Sequence, residues 1–254
     1  MIYQNSVANS NDHREAYNII RNINPEERLG FTTLHTTVLQ RKPGTLSQYL
    51  IMDLSHLNAR DNLGRTPLML ACSHAGEEEV RTLLKFGADP TLTDRVLQNA
   101  LHHSILQGNI NVVQALFHSL YLSSGDEDVV SRLVEGRDLR GCTPCYTAIE
   151  HHHAGILAYI LDHGARVDVK DNQHRTLLHY AAWTARAPVM FVLSLQDLAT
   201  IDLDAVNRHG YSAEQIFEEY RKDCDPQTTE AFQKLVAVVR RSHRGTHDHP
   251  LWGE

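Results

Sequence analysis

Cys142 and Cys145 stand two residues apart, and three consecutive histidines, His151, His152 and His153, follow closely. A Cys-x-x-Cys near imidazoles is the donor set of a zinc site, with thiolate sulfur and ring nitrogen as ligands. A second group, His243, His247 and His249, has the same ligand type, but Gly245 and Pro250 deny it a helix, so a solvated tail is expected. The chain has no G-x-S-x-G, no P-loop, no G-x-G-x-x-G after a strand and no H-E-x-x-H. Catalytic residues and cofactors are therefore not expected. A metal or enzymatic site in the histidine-rich turn, or in the segment 119–136, is kept as an alternative.

The 254 residues are 42% apolar and 22% charged, the composition of a globular chain. A formal net charge of -7 argues against general nucleic-acid binding. The polar start and the absence of a long apolar run argue against export or a membrane span. Four cysteines without a disulfide framework fit a reducing compartment, so the expected location is intracellular, cytoplasmic or nuclear.

The elements that must position any site are repetitive. The segment "GRTPLMLAC" from Gly64 pairs a loop glycine with a Thr-Pro helix start and an apolar run. Related segments begin at Gly30, Leu97, Gly141, His174 and Gly210, and their Thr-like residues are Thr32, Thr66, Asn99, Thr143, Thr176 and Ser212, spaced by 34, 33, 44, 33 and 36. A second apolar helix follows in each unit, as in "VRTLLKFGADP" from Val80. Two short helices bury their apolar faces only by stacking on the next pair.

The near-33 period, the motif "TPLMLA" with its partial copies "TTLHTT", "NALHHS", "TPCYTA" and "TLLHYA", and the endings "GADP" and "GARVD" resemble the ankyrin repeat over about residues 26–218. The resemblance implies an all-α solenoid of about six helix-turn-helix units with β-hairpin-like loops. Helical caps are expected at 1–25 and 219–254. In the N-terminal cap Asp12 and Glu15 form a capping box; in the C-terminal one Asp225 is the N-cap and Phe232, Leu235, Val236 and Val239 form the apolar stripe. The resemblance also implies that His35, His102 and His179 bridge loop backbones. Register places Cys145 at the signature leucine, pointing into the core and away from the histidines, which argues against zinc. It places Ala75, Gly108, His152 and Ala185 at the glycine between the two helices, where a side chain is costly and some turns are expected to be distorted. The extra residues between Ser119 and Gly136 are read as a tolerated surface insertion, with a short helix from about Asp126.

By the same resemblance, the function is that of a non-enzymatic adaptor, inhibitor or scaffold, which binds a partner protein on its concave face and hairpin tips. Leu29, Leu63, Val96 and Leu139 are taken as the apolar tip residue ahead of the signature glycine in the first four copies. Arg28, Arg60, Arg65, Arg95, Arg137, Arg140, Lys170, Arg175 and Arg208 make the edge less acidic than the whole, so a partner with acidic and apolar residues is expected. Exposed inner-helix ends carry Ser73 and His74, Leu106 and Gln107, Glu150 and His151, then Trp183 and Thr184. Trp183, Leu106 and the tips are expected to form one continuous contact surface. The protein is expected to be a monomer with neither nucleic-acid nor membrane partners, and a further reading makes it the recognition arm of a larger protein.

Overall fold

The computed structural model describes residues 29–40, 45–74, 76–123, 127–220 and 224–245. The N-terminal capping helix, Arg28, Ala75, His247 and His249 lie outside these residues. Within them the chain is helical: α1 (Thr33–Gln40), α2 (Thr45–Met52), α3 (Pro67–His74), α4 (Glu77–Lys85), α5 (Ala100–Leu106), α6 (Ile110–Ser123), α7 (Glu127–Val134), α8 (Pro144–Glu150), α9 (Ala154–Asp162), α10 (Leu177–Thr184), α11 (Ala187–Ser194), α12 (Ala213–Tyr220) and α13 (Pro226–Gly245).

The helices form two stacked rows. The first helices of the units, α1, α3, α5, α8, α10 and α12, each pack on the next, and so do the second helices, α2, α4, α6, α9, α11 and α13. One continuous apolar core runs between the rows, with Leu34, Leu68, Leu101 and Leu178 at the signature leucine and Cys145 fully buried in that place in the fourth unit. Its thiol is pushed far up by burial, with the Glu135 charge adding in the same direction, the opposite of what a thiolate ligand needs. His151 and His152 are exposed beyond the end of α8. Among the described residues no group of three or more metal-ligating side chains converges.

The helix starts follow from local chemistry. Backbone N–H of Thr32, Asn99 and Thr176 donates to Nδ1 of His35, His102 and His179, three residues on, which caps the first turn. In the last unit the Ser212 amide donates to Oε1 of Gln215, while the Ser212 hydroxyl accepts from the Gln215 amide.

The turns between paired helices keep their shape without glycine. His152 (φ 64°) and Ala185 (φ 48°) take the left-handed conformation that Gly108 (φ 69°) takes in the third unit, so the expected distortion is absent and the strain stays local. Leu97 and His174 likewise hold φ 62° where the other loops have glycine.

The 44-residue interval adds more than surface. Helix α6 runs 14 residues, and α7 turns back against α5 and α6 with Val130, Leu133 and Val134 buried. The side chain of Asn99 donates to the Leu133 carbonyl at 2.9 Å, tying the added helix to the α5 start. The inserted segment is thus part of the core rather than a loop laid over it. At the other end α13 buries Phe232, Leu235, Val236 and Val239 and turns polar residues outward, as a cap requires.

Candidate interaction surface

Five loops project beside the first-helix row, at 61–65, 94–98, 138–142, 171–175 and 207–211. Each begins with Asp61, Asp94, Asp138, Asp171 or Asn207, whose side-chain oxygen accepts the amides two and four residues on. The same residue's own amide donates to the carbonyl four residues on, closing a hairpin. At Asp61, Asp138 and Asp171 the second carboxylate oxygen holds Arg65, Arg140 or Arg175. Burying the carboxylates is possible because every lone-pair direction meets a donor.

The loops are sewn to one another. Amides of Asn62, Arg95, Leu139, Asn172 and Arg208 donate to carbonyls of Leu29, Leu63, Val96, Arg140 and Gln173 in the preceding loop, at 2.8–3.0 Å. A second stitch comes from the signature position. Nε2 of His35 bonds the Arg65 carbonyl, that of His102 the Cys142 carbonyl and that of His179 the Tyr211 carbonyl. In the fourth unit Tyr146 does the same work, donating its hydroxyl to the Arg175 and Val169 carbonyls. Met69 has no donor to offer. Arg60 and Arg137 add a third stitch by reaching the carbonyls of Thr93 and Lys170 in the next loop.

Burial lowers the histidine pKa values, His102 to about 4, so the bridging rings are neutral near pH 7 and use both nitrogens. At 0% and 1% exposure they belong to the scaffold rather than to a site.

Hydrogen bonding corrects the tip register. The carbonyls of Leu29, Leu63 and Val96 accept from the next loop, and in the fourth unit that role falls to Arg140. Leu139 therefore sits one position earlier than the other three, because Arg140 intervenes between it and Gly141. The apolar row continues through Leu63, Val96 and Leu139, exposed by 47%, 46% and 57%, but not at one equivalent position; Leu29 is half-buried.

The basic edge is also largely spent. Arg65, Arg140, Lys170 and Arg175 pair with Asp61, Asp138, Asp202 and Asp171, and Arg60 and Arg137 clamp loop carbonyls. Arg95 and Arg208 remain exposed at the tips. Arg65 further lies over the Phe31 ring at 5.8 Å, a scaffold contact.

Along the first helices the residue seven after the Thr-like position is Ser73, Leu106, Glu150 and Trp183 in successive units. Arg140 forms a bidentate pair with Glu150 at 2.8 and 3.0 Å, so a charged pair stands between half-buried Leu106 and exposed Trp183. The expected continuous apolar surface is therefore two surfaces, one at the tips of the second to fourth units and one around Trp183. His74 and His151 are exposed beside the Ser73 and Glu150 positions.

At Trp183 the structure assembles something the sequence did not suggest. The indole meets Tyr180 edge-on at 6.3 Å, and the Arg175 guanidinium lies 4.6 Å over the Tyr180 ring. Ile216, Gln173 and His209 complete the walls of a cavity of about 240 Å³. Larger hollows include two of about 400 and 610 Å³ against α13 at the C-terminal cap and one of about 320 Å³ beside α12.

Buried His103 was also missed. Its Nε2 donates to the Asp94 carboxylate and its Nδ1 meets the Ser73 hydroxyl, both at 3.0 Å, filling the place that arginine holds in the sister loops. The signal was Gln98, which stands in sequence where Arg65 and Arg175 stand elsewhere. Burial alone would raise the Asp94 carboxyl, but hydrogen bonds from His103 and the Gln98 and Val96 amides hold it below its usual value.

Repeated loops, repeated caps and two stacked helix rows agree with what the comparisons find. The profile of the family described as "Ankyrin repeats (3 copies)" matches residues 6–94, 34–123 and 119–205. The chain belongs to the ankyrin repeat family. It is 28% identical over 183 residues to the human transient receptor potential cation channel subfamily A member 1, covering 70% of this chain and 15% of that protein. It is 28% identical over 154 residues to inversin of Canis lupus familiaris, covering 59% and 13%. It is 31% identical over 147 residues to the mouse B-cell lymphoma 3 protein homolog, covering 56% and 31%. The chain thus spans less than a third of each of these relatives. Ankyrin repeats are in general protein-interaction modules, and no helix among the described residues is long and apolar enough to cross a membrane.

Proposed function

We propose that this ankyrin array is a non-enzymatic binding module, an adaptor, inhibitor or scaffold that recognises another protein with its loop tips and first-helix face while acting as a monomer. The observation that carries the reading is the contrast at the tips. Their backbones are locked loop to loop, yet Leu63, Val96 and Leu139 stay about half exposed on that rigid frame. A pre-ordered row of apolar side chains loses little conformational entropy on binding, so contact area converts to affinity efficiently. An intracellular site of action, and a place within a longer polypeptide like those of its relatives, belong to the same reading.

The test is affinity capture from the cells that make the protein, with wild type and a Leu63→Asp/Leu139→Asp variant side by side. The variant should lose a partner that wild type retains, with the same thermal midpoint by circular dichroism. Identical captures from both would remove the tips from the function.

A further inference from the structure

The geometry points to a side-chain pocket between the fifth and sixth units, built to receive one large apolar residue of a partner chain with an acidic residue beside it. This deepens the binding-module reading and rests on it.

Two positions change between neighbouring units. In the fourth unit Arg140, which stands where the fifth has Gln173, keeps Asp138 through Nε and clasps Glu150 with its two terminal nitrogens, and that pair closes the first-helix face. In the fifth unit the residue equivalent to Glu150 is Trp183, so Gln173 and Trp183 form no ion pair. Arg175 instead folds down onto the Tyr180 ring, donating to the Tyr180 hydroxyl at 2.7 Å and to Asp171. Gln173 and Trp183, at the places of that ion pair, both line the cavity, and about 240 Å³ is the size of a single large side chain rather than of a drug-sized ligand.

Its walls define the occupant. The indole of Trp183, itself 47% exposed, and the aliphatic chain of Ile216 make two sides, and the Arg175–Tyr180 stack lies below. Such walls favour an aromatic or long aliphatic side chain. The rim is formed by Gln173 and His209, with exposed Arg208 adjacent, and none of the lining residues is acidic. The Asp171 carboxylate is buried and already committed to Arg175, Tyr180 and two loop amides. Donors and cations, with no carboxylate among the lining residues, suit a carboxylate placed next to the apolar anchor.

The experiment is selection of random linear peptides displayed on phage against the immobilised full chain, followed by anisotropy titration of the enriched peptides as synthetic fluorescent probes. Enriched peptides should share a large apolar residue adjoining Asp or Glu. Trp183→Glu, which removes the indole wall and sets a carboxylate against the acidic residue of the peptide, should weaken them about tenfold or more, and Leu63→Asp should leave them unchanged. Because Trp183 also contacts Tyr180, His209→Glu at the rim provides a variant remote from the core, and it should weaken the same peptides by repulsion. No enrichment, enrichment without the apolar–acidic pairing, or equal binding by both variants overturns the pocket. Loss of capture by the tip variant with no peptide in this cavity would refute the pocket alone; peptide binding here with unchanged capture would refute the tips alone.

Discussion

The fourth and fifth units share a loop and a helix start, and differ in where the loop arginine stands, Arg140 at the place of Gln173 and Arg175 at that of Cys142, and in what the signature ring does. In the fourth, Arg140 spans to Glu150, Tyr146 reaches the next loop, and the hydroxyls of Thr143 and Thr147 are buried with no hydrogen-bond partner among the described residues. In the fifth, Arg175 folds onto Tyr180, His179 both caps Thr176 and reaches the Tyr211 carbonyl, and Trp183 is left bare. Shared positions hold the scaffold in both units, and two unshared ones, Arg140 and Glu150 against Gln173 and Trp183, decide whether its face is closed. In such an array the residues that make the fold and those available for recognition occupy different columns, so recognition can change while the stacking does not.

The comparison can be broken most severely at the loop aspartates. Asp171→Ala frees two amides, the Arg175 guanidinium and the buried Tyr180 hydroxyl, and should cost roughly 4 kcal/mol by urea denaturation. Asp138→Ala should cost about 1 kcal/mol less, because Arg140 keeps Glu150. Equal losses would mean that the Arg140–Glu150 pair contributes nothing.

Acid probes the rings next. His102 titrates at about 4 in the fold against 6.5 unfolded, so between those values the unfolded chain binds the proton first and stability falls as pH is lowered. That single ring should cost roughly 3 kcal/mol by pH 4, with His35 and His179 adding in the same direction, while Tyr146 contributes nothing there. A urea midpoint that rises from pH 7 to pH 5 would contradict neutral, buried bridging histidines.

Smaller effects separate the caps. Thr176→Val should cost about 1 kcal/mol by removing the hydroxyl bonded to His179, whereas Thr143→Val should be close to neutral because that hydroxyl has no bond to lose. Thermal melts of the pair decide it. The smallest change is Ala185→Gly, which relieves a left-handed alanine and should stabilise by about 0.5–1 kcal/mol, the opposite of the usual glycine effect in this size range.

Much of this was legible in sequence because a stacked array repeats its physics. The period and the Thr-like helix start located the helix pairs, and register placed His152 and Ala185 at turn positions that both adopt in the structure. Side chains at such sites suggested distortion, but two stacked rows over-determine each turn and the residue takes the strain. The fourth tip was misjudged because the apolar residue was preferred over the count: Leu139 is the more conspicuous side chain, yet the backbone bonds identify Arg140 as the equivalent of Leu63. The loop ion pairs are local, Arg65 and Arg175 four residues from Asp61 and Asp171, but their geometry follows from the folded hairpin; the Lys170–Asp202 pair and the cavity beside Trp183 depend on contacts across units about thirty or more residues apart, which no local pattern records.

Tension applied between the two ends of the array would pass through the loop ladder in series, one junction after another, with no sheet to share the load. A ring or phenol backs the amide bond at the junctions after His35, His102, Tyr146 and His179. The junction after Met69 has no such ring and relies on Arg60, which reaches the Thr93 carbonyl, so a pulled Arg60→Ala molecule should part there first, dividing into a short N-terminal piece and a longer C-terminal one.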